Sequence, residues 1–371
     1  MKGIRIAILI LSACLASLAW GQPRAGSCTN DWTEFHGANM QRWDPCEKTL
    51  NAKNVRRLVL KWTSSLLGGS QAAIVDGVAY LQSIEGTVSA LNADTGAALW
   101  TSQNVGGDYS SPAVVNGVVY VGTAALDAKT GALLWRYTSG STYSAPTVAN
   151  GVVYVGSDDP NLYALDAKTG TKLWSVPIYV DSSPAVADGV VYAVDAYSKL
   201  HALDAKTGAE LWSVETGGSC GGCSSPSVAN GVVYVDGAAI YALKAKTGAV
   251  LWSYSPAGDP SGSTPAVARG VVYVAASGHP ASLYALDART GAKLWSSQLF
   301  QSRFGFSPAV ANGVVYLASK HQEYAFDTRT GAQLWLHKNQ NVMEDWSYVA
   351  VSNGMVYVGD TRFGQYAFGL K

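Results

Sequence analysis

The sequence is poor in charged side chains and has no excess of either sign. Charged residues make up 14% of 371 positions, with 26 basic against 26 acidic residues, so the formal net charge is +0. A protein that covers nucleic acid usually carries a clustered basic face, and no dense basic run stands out along this chain. The sequence therefore predicts no nucleic-acid partner. Its 48% hydrophobic content also excludes a disordered chain.

Long apolar runs are scarce as well. Beyond residue 21 no stretch approaches the ~20 apolar residues of a membrane span, so no transmembrane segment is expected. At the start, Lys2 and Arg5 precede an apolar run over residues 6–20, and Ala19-Trp20-Gly21 offers a small-x-small cleavage site. Residues 1–21 are therefore predicted to be a signal peptide of an exported protein, periplasmic or extracellular.

The leader has a second interpretation. Residues 11–14, Leu-Ser-Ala-Cys, resemble a bacterial lipobox, which would make Cys14 the lipid anchor of an outer-membrane lipoprotein. The apolar run continues past Cys14 to Trp20, which favours simple cleavage after Gly21.

Cysteine is rare, with five in the chain, and four of them follow the leader. An even number in an oxidising compartment suggests two disulfides, paired by proximity as Cys28–Cys46 and Cys220–Cys223. Ser224 follows Cys220-Gly-Gly-Cys223, so the haem-attachment pattern fails, and no second cysteine or histidine pair lies nearby to complete a metal site. A disulfide that staples a loop is favoured over reversible thiol chemistry.

What the sequence has in abundance is repetition. One element reads Asn-Gly-Val-Val-Tyr-Val, and its tyrosines are Tyr80, Tyr120, Tyr154, Tyr192, Tyr234, Tyr273, Tyr316 and Tyr357. A second element ends in Leu-Trp, and its tryptophans are Trp62, Trp100, Trp135, Trp174, Trp212, Trp252, Trp295 and Trp335. Both series have a period of about 40 residues, which fits a four-stranded propeller blade.

The third complete unit shows the four strands of a blade. They are predicted at residues 144–148 (A), 152–156 (B), 162–165 (C) and 172–176 (D). Asn150-Gly151 and Thr169-Gly170 supply the A–B and C–D turns, because glycine tolerates positive φ.

The two ends of the repeat complement each other. Trp62 has no tyrosine element before it, and the last tyrosine element, around Tyr357, has no tryptophan strand after it. Residues 56–62 should therefore supply strand D of the C-terminal blade and close the ring without open edges. The sequence predicts an all-β protein: an eight-bladed β-propeller over residues 56–371, preceded by a lead-in segment over residues 22–55.

The tryptophans recur at one position of every blade, where a large ring can pack between neighbours. We expect these blade-docking residues to be the main contact between blades. Their motif, Ala-Leu-Asp-Ala-Lys-Thr-Gly-x-x-Leu-Trp at residues 164–174, resembles the tryptophan-docking motif of the pyrroloquinoline-quinone (PQQ) repeat superfamily, with Asn92 and Lys244 replacing the aspartate in two copies. Further residues resemble the lead-in of quinoprotein alcohol dehydrogenases, namely Trp32, Gly37, Arg42, Asn51, Asn54, Val55, Leu58 and Trp62.

Two branches of this superfamily imply different functions. The quinoprotein dehydrogenases bind PQQ and calcium over the central channel, and long insertions build their cofactor pocket. The outer-membrane assembly lipoprotein family BamB has eight blades, no cofactor and a scaffolding role. The segments between the predicted blades are short here, which resembles the scaffold branch.

Topology divides the surface into two faces. The A–B and C–D turns share a uniform face of repeated Asn-Gly and Lys-Thr-Gly turns, and the B–C and D–A connections share a variable face. We expect specific binding on the variable face, near the channel mouth. The D–A connections bring there Asp108, Tyr109, Tyr143, Asp181, residues 220–223, Asp259, Arg303, Glu344, Asp345 and Trp346. The B–C turns bring Glu85, Asp158, Asp159, Asp195, His279, Lys320, His321, Asp360 and Arg362.

A catalytic hypothesis assigns roles to some of these residues. Glu344, Asp345, Asp181 and Asp108 would supply calcium ligands and a base. Arg303 would bind a quinone carboxylate, and Trp346 would stack on its plane. These residues match no established calcium set, so the favoured hypothesis is a non-catalytic exported propeller that binds a protein or peptide on the variable face, with no cofactor. A PQQ- and calcium-dependent dehydrogenase is the alternative, and a carbohydrate-binding module that uses Tyr109, Tyr143 and Trp346 is a third.

Overall fold

A computed structural model describes the chain from residue 30 onwards. The described residues are 30–37, 40–64, 70–106, 110–140, 142, 144–218, 224–259, 262–278, 280–299, 307–319, 322–338, 347–360 and 364–371. They form eight antiparallel sheets arranged as the blades of a propeller. The predicted all-β, eight-bladed fold is confirmed.

The strands follow one another blade by blade. The lead-in contributes β1 (Trp43–Asp44), a 3-10 helix (Val55–Arg57) and β2 (Leu58–Ser64). Blades 1 and 2 comprise β3 (Ala73–Val75), β4 (Val78–Gln82), β5 (Val88–Asn92), β6 (Ala98–Thr101), β7 (Ala113–Val115), β8 (Val118–Val121), β9 (Ala124–Asp127) and β10 (Leu133–Arg136). Blades 3 and 4 comprise β11 (Thr147–Ala149), β12 (Val152–Ser157), β13 (Asn161–Asp166), β14 (Lys172–Val176), β15 (Ala185–Ala187), β16 (Val190–Val194), β17 (Lys199–Asp204) and β18 (Glu210–Glu215).

The second half repeats this plan. Blades 5 and 6 comprise β19 (Ser227–Ala229), β20 (Val232–Asp236), β21 (Ile240–Lys244), β22 (Val250–Tyr254), β23 (Ala266–Ala268), β24 (Val271–Ala276), β25 (Ser282–Asp287) and β26 (Lys293–Gln298). Blades 7 and 8 comprise β27 (Ala309–Ala311), β28 (Val314–Ser319), β29 (Gln322–Asp327), β30 (Gln333–Lys338), β31 (Ser347–Ser352), β32 (Met355–Asp360) and β33 (Gly364–Leu370).

The ring closes as predicted, by a strand from the start of the propeller. β2 pairs antiparallel with β33, with Leu58 opposite Leu370 and Ser64 opposite Gln365. Arg56, at the predicted start of this strand, lies instead in the 3-10 helix that leads into it. The eighth blade therefore joins the two ends of the chain, which leaves no unpaired edge between first and last blades.

The A–B and C–D turns do share one face. In blade 2 the Ala128 amide of the C–D turn donates to the Gly117 carbonyl of the A–B turn over 2.9 Å, and blade 3 repeats this contact between Ala167 and Gly151. Both central residues of each A–B turn have positive φ, for example Asn116 at 51° and Gly117 at 76°. This conformation matches the twist of a two-residue hairpin and explains the Asn-Gly pattern.

Each repeated tryptophan joins its blade to the next one. Its indole N–H donates to a backbone carbonyl of the following blade, over 2.9–3.2 Å. The acceptors are the carbonyl oxygens of Ala93, Ala128, Ala167, Ala205, Ala245, Ala288, Thr328 and Leu58. The following C–D turn packs on the ring through its glycine: a Cβ added to Gly131 would lie 2.5 Å from Trp100. The glycine of the motif is therefore required by the docking of the preceding tryptophan.

A second set of contacts between blades was missed in the sequence. Most A strands follow a Ser-Ser-Pro or similar triplet. The hydroxyl of the first residue in the triplet is hydrogen-bonded to the backbone of strand B in the same blade, as Ser182 is to Val194 at 2.9 Å. The second hydroxyl accepts an amide from the preceding blade, as Ser183 does from Ala145 at 3.1 Å. These buried hydroxyls encircle the channel near its variable-face end.

Candidate functional site: the filled channel and the variable face

The central channel contains the protein's own lead-in segment. Trp32 exchanges two backbone hydrogen bonds of 2.8 Å with Ile74 of blade 1, and the Thr33 carbonyl accepts the Val114 amide of blade 2. Further along, the lead-in accepts the amides of three more A strands, from Val228, Val267 and Val310 to the carbonyls of Met40, Gln41 and Arg42. β1 then adds to blade 7 as a parallel inner strand. The lead-in therefore satisfies inner strands around the ring that would otherwise line an open channel.

Arg42 holds this segment at the variable-face end of the channel. Its side chain is fully buried, and its five N–H groups meet five acceptors. The acceptors are the carbonyls of Pro308, Phe35, Ser307 and Val349 and the Gln71 amide oxygen, at 2.7–3.3 Å. The guanidinium also lies 4.8 Å from the centre of the Phe35 ring. Every donor of Arg42 is therefore used within the protein, so it has none left for a ligand.

Two other ionisable groups of the lead-in are buried beside it. Burial raises the pKa of Glu34 to about 8, against the weaker effect of the Val148 amide, which donates to its Oε2 over 3.3 Å. Burial, assisted by the Arg42 charge, lowers the pKa of His36 to about 3. Both side chains are therefore mainly neutral at pH 7, and Arg42 is the charged group in this part of the channel.

The lead-in returns to the uniform face after β1. Asp44 accepts the Cys46 amide at 2.7 Å, and Glu47 accepts the Leu50 and Gly354 amides at 2.9 and 2.8 Å. The Asn312 side chain of blade 7 donates to the Leu50 carbonyl. These contacts fix residues 44–50 to the A–B turns of blades 7 and 8.

Most residues of the catalytic hypothesis fall outside the described structure. These are Asp108, Arg303, Glu344, Asp345 and Trp346. Other residues named from the sequence also lie outside the described part, namely Tyr109, Tyr143, His279, Lys320, His321, Arg362, Cys14, Cys28, Cys220 and Cys223. Asp181 is described, and it lies in the connection between β14 and β15. Cys46 is disulfide-bonded, while its predicted pairing with Cys28 and the Cys220–Cys223 pair remain predictions.

The described part of the variable face carries acidic residues close to one another. Partial burial raises the pKa of Asp181, and the nearby Asp158 carboxylate raises it further, against a Tyr179 hydrogen bond. Burial raises the pKa of Asp236 well above its usual range, and Asp259 adds to that effect. The blade 3–4 and blade 5–6 borders therefore each bring together two carboxyl groups whose charges repel.

A buried histidine lies between two carboxylates in blade 4. His201 Nε2 is 3.1 Å from Asp195 Oδ2, and its Nδ1 is 2.8 Å from Glu210 Oε2. His201 takes a tyrosine's position in strand C, and nothing in the sequence indicated this pair of contacts. Beside Asp195, the Tyr197 side chain is 81% exposed.

The described residues do not complete a site for PQQ and calcium. Within them, no group of three acidic, histidine or cysteine side chains is arranged to hold a metal ion. Arg42, a buried cation of the lead-in, has no donor free for a quinone carboxylate. The part of the chain that the structure covers also contains no helix of the length and hydropathy needed to cross a membrane.

A family profile described as outer membrane protein assembly factor BamB matches most of the chain. The matches cover residues 59–125, 85–179, 178–260 and 236–367. The crystal structure of BamB from Moraxella catarrhalis superposes with a TM-score of 0.71 at 19% identity, over 85% of this chain and 98% of that one. At this identity the likeness establishes the fold alone.

Quinoprotein dehydrogenases resemble the chain as well. The quinoprotein ethanol dehydrogenase of Pseudomonas putida is 34% identical over 119 residues, which are 27% of this chain and 19% of that protein. The chain thus spans about a fifth of the length of the curated relatives it matches. The quinohemoprotein alcohol dehydrogenase ADHIIG from Pseudomonas putida HK5 superposes with a TM-score of 0.74 at 17% identity, over 92% of this chain and 80% of that one.

Proposed function

Because the chain belongs to the PQQ-repeat propeller family described as outer membrane protein assembly factor BamB, we propose that it is an exported, non-catalytic scaffold that binds a protein or peptide. The observation that carries this proposal is the filled channel. The lead-in forms hydrogen bonds with the inner strands, and all five donors of Arg42 are bonded within the protein. A ligand would therefore bind to a face of the propeller rather than inside the channel. The docked tryptophans and the serine contacts between blades make the ring a rigid platform for surface loops.

The partner should bind the variable face near blades 3 and 4. Asp158 and Asp181 offer negative charge there, and Tyr197 offers an exposed aromatic ring. Exposed tyrosines are frequent anchors in protein interfaces because they bury a large apolar area and keep a polar tip. This chemistry fits a partner segment that carries basic and apolar side chains, in the cell envelope of the producing organism.

The test is recovery of the partner from an envelope extract with tagged protein. Wild type should retain a discrete partner, and Asp158→Asn/Asp181→Asn/Tyr197→Ala should reduce recovery at least about tenfold, since interface anchors each contribute about 1–2 kcal/mol. The matched control is Asp76→Asn/Asp188→Asn, which removes two charges from A–B turns of the uniform face at positions where asparagine is common. Equal loss in the control would contradict binding at the variable face.

A PQQ-dependent dehydrogenase is the alternative, and the 34% identity to a quinoprotein ethanol dehydrogenase supports it. Titration of the purified protein with PQQ and calcium distinguishes the two proposals. A ligand at a hundred times its Kd stabilises a protein by about 2.7 kcal/mol and raises Tm. The scaffold proposal expects no shift in Tm. A saturable shift, together with oxidation of alcohols and no recovered partner, would overturn it.

A further inference from the structure

We propose that a basic patch on the uniform face, at blade 8, binds an anionic phospholipid surface. The patch consists of Lys48, Lys53, Arg56, Arg57 and Lys371, with Lys61 on the adjoining strand. It is independent of partner binding on the variable face, and neither family resemblance is needed to infer it.

The lead-in and the chain end bring these cations together. Residues 47–50 are fixed to the A–B turns of blades 7 and 8 through Leu50 and Glu47. The 3-10 helix (Val55–Arg57) follows directly, and the Lys371 amide donates to the Arg57 carbonyl over 3.2 Å. All of these basic side chains are exposed. The fold therefore holds the five cations of residues 48–61 at one border of the ring and adds Lys371 from the end of the chain.

The patch has little negative charge to offset it. No acidic residue occurs between Lys48 and Val75, and Glu47 is buried with its carboxylate bonded to backbone amides. Among the described residues, the ion pairs found are those of His201, so none of the patch cations is paired with a carboxylate there. In five of the repeated C–D turns on this face an aspartate lies two residues before the cation, as Asp127 does before Lys129, whereas the blade 5 turn has lysine at both positions, Lys244 and Lys246.

Exposed apolar side chains border the same charges. Val59 and Leu60, on the outer strand of blade 8, are 38% and 43% exposed. Cations next to exposed aliphatic groups are a common arrangement on surfaces that rest against lipid headgroups, where the charges attract anionic lipid and the aliphatic groups enter the interface.

The path of the chain supports the same orientation. The first described residues lie on the uniform face at blades 8 and 1, where Ser352 bonds the Asn30 carbonyl and the Asp76 amide donates to Asp31 over 3.2 Å. The first described residues therefore lie on the same face as the patch.

The experiment is sedimentation of the processed protein with phosphatidylcholine vesicles that contain either 30 mol% phosphatidylglycerol or none (a chosen composition, roughly that of a moderately anionic membrane). Any contribution of an attached acyl chain is common to both vesicles, so the ratio of the two partition coefficients isolates the charge effect. Each engaged cation should contribute about fivefold, and the ratio should exceed about tenfold in low salt. It should fall towards one in about 0.5 M salt, which screens the attraction.

Two variants of equal charge change identify the surface. Lys53→Gln/Arg56→Gln/Arg57→Gln should lower the ratio at least about tenfold, because it removes three cations from the centre of the patch. Lys168→Gln/Lys206→Gln/Arg289→Gln removes three cations from repeated turns and should leave the ratio unchanged. An unchanged Tm in both variants ensures that folding is not the cause. A ratio near one for wild type, or an equal loss in both variants, overturns the proposal.

Discussion

Single residues in the repeated turns follow from the backbone geometry of those turns. Seven of the eight A–B turns have asparagine or aspartate before glycine, and each of these residues has positive φ. Blade 6 has Arg269 there, at φ 49°. Asparagine and aspartate tolerate this conformation best among residues with a side chain, so Arg269 is the residue in this series least suited to its position.

Replacing Arg269 with asparagine should stabilise the protein. We expect Arg269→Asn to raise the free energy of unfolding by about 0.5–1 kcal/mol, since it relieves left-handed backbone strain without changing a buried contact. Urea denaturation measures the change. The reciprocal variant Asn230→Arg, at the same turn position in blade 5, should lose a similar amount. A gain in stability in both variants would contradict control by backbone conformation.

Arg42 is the residue on which the lead-in most depends. Arg42→Lys should lower the free energy of unfolding by about 3–5 kcal/mol, because lysine has three donors and cannot reach five buried acceptors in a planar arrangement. Thermal denaturation measures the loss, and the exposed Arg57→Lys should change Tm little. A small effect at Arg42 would mean that the channel rearranges to satisfy its carbonyls in another way.

Among the structural elements, the sequence predicted the blades far better than the lead-in. The four strands of blade 3 were located to within about three residues, because glycine turns and tryptophans mark each repeat. The lead-in has no repeat, and it is held by backbone hydrogen bonds that any side chain allows. The resemblance to a family lead-in included Arg42 among its matching residues. The five groups that accept hydrogen bonds from Arg42 come from four separate segments of the chain, which the sequence does not bring together.

The candidate site was predicted only in outline. The division into two faces follows from strand order, and the structure agrees with it. The His201 contacts could not be predicted, since Asp195 and Glu210 become its neighbours only when β16, β17 and β18 align. The basic patch was missed although five of its six cations lie within residues 48–61, and only the position of Lys371 beside them depends on closure of the ring.

The buried carboxyl group of the lead-in should make stability depend on pH. The pKa of Glu34 is about 8 in the folded protein, above the ordinary value of 4.5, so the folded state keeps a proton that the unfolded state releases. The contribution of Glu34 to the free energy of unfolding is complete below pH 4.5 and is lost as the pH rises through 8. His36, with its lowered pKa, acts in the opposite direction below pH 6.5. Between pH 6.5 and 8, Glu34 therefore dominates the contribution of this pair.

Glu34→Gln tests this dependence. Wild type should lose stability between pH 6.5 and 8 by about 1 kcal/mol per pH unit, and the variant should lose much less, because glutamine accepts the Val148 amide without ionising. Tm measured across this range gives the slope. The exposed Glu85→Gln serves as control and should retain the wild-type slope. Identical slopes for wild type and Glu34→Gln would show that Glu34 is not buried when the protein is folded.

At the scale of the whole molecule, the propeller is a closed ring around its own N-terminal segment. The ends of the chain meet twice, in the β2–β33 pairing of blade 8 and in the channel, where Arg42 bonds carbonyls of blades 7 and 8. The described part of the variable face brings carboxyl groups together at two blade borders, and the described part of the uniform face has a group of exposed cations at blade 8. This polarity suits a protein that lies between an anionic surface and a partner.

Hydrogen–deuterium exchange of the native protein tests the central claim most directly, namely that residues 30–37 and 40–44 fill the channel. If they do, peptides that cover these residues should exchange as slowly as the buried B strands, over hours rather than seconds, because their backbone groups are bonded to the inner strands. Exchange of residues 30–37 and 40–44 within seconds, while the B strands remain protected, would mean that the channel is open and would contradict this account.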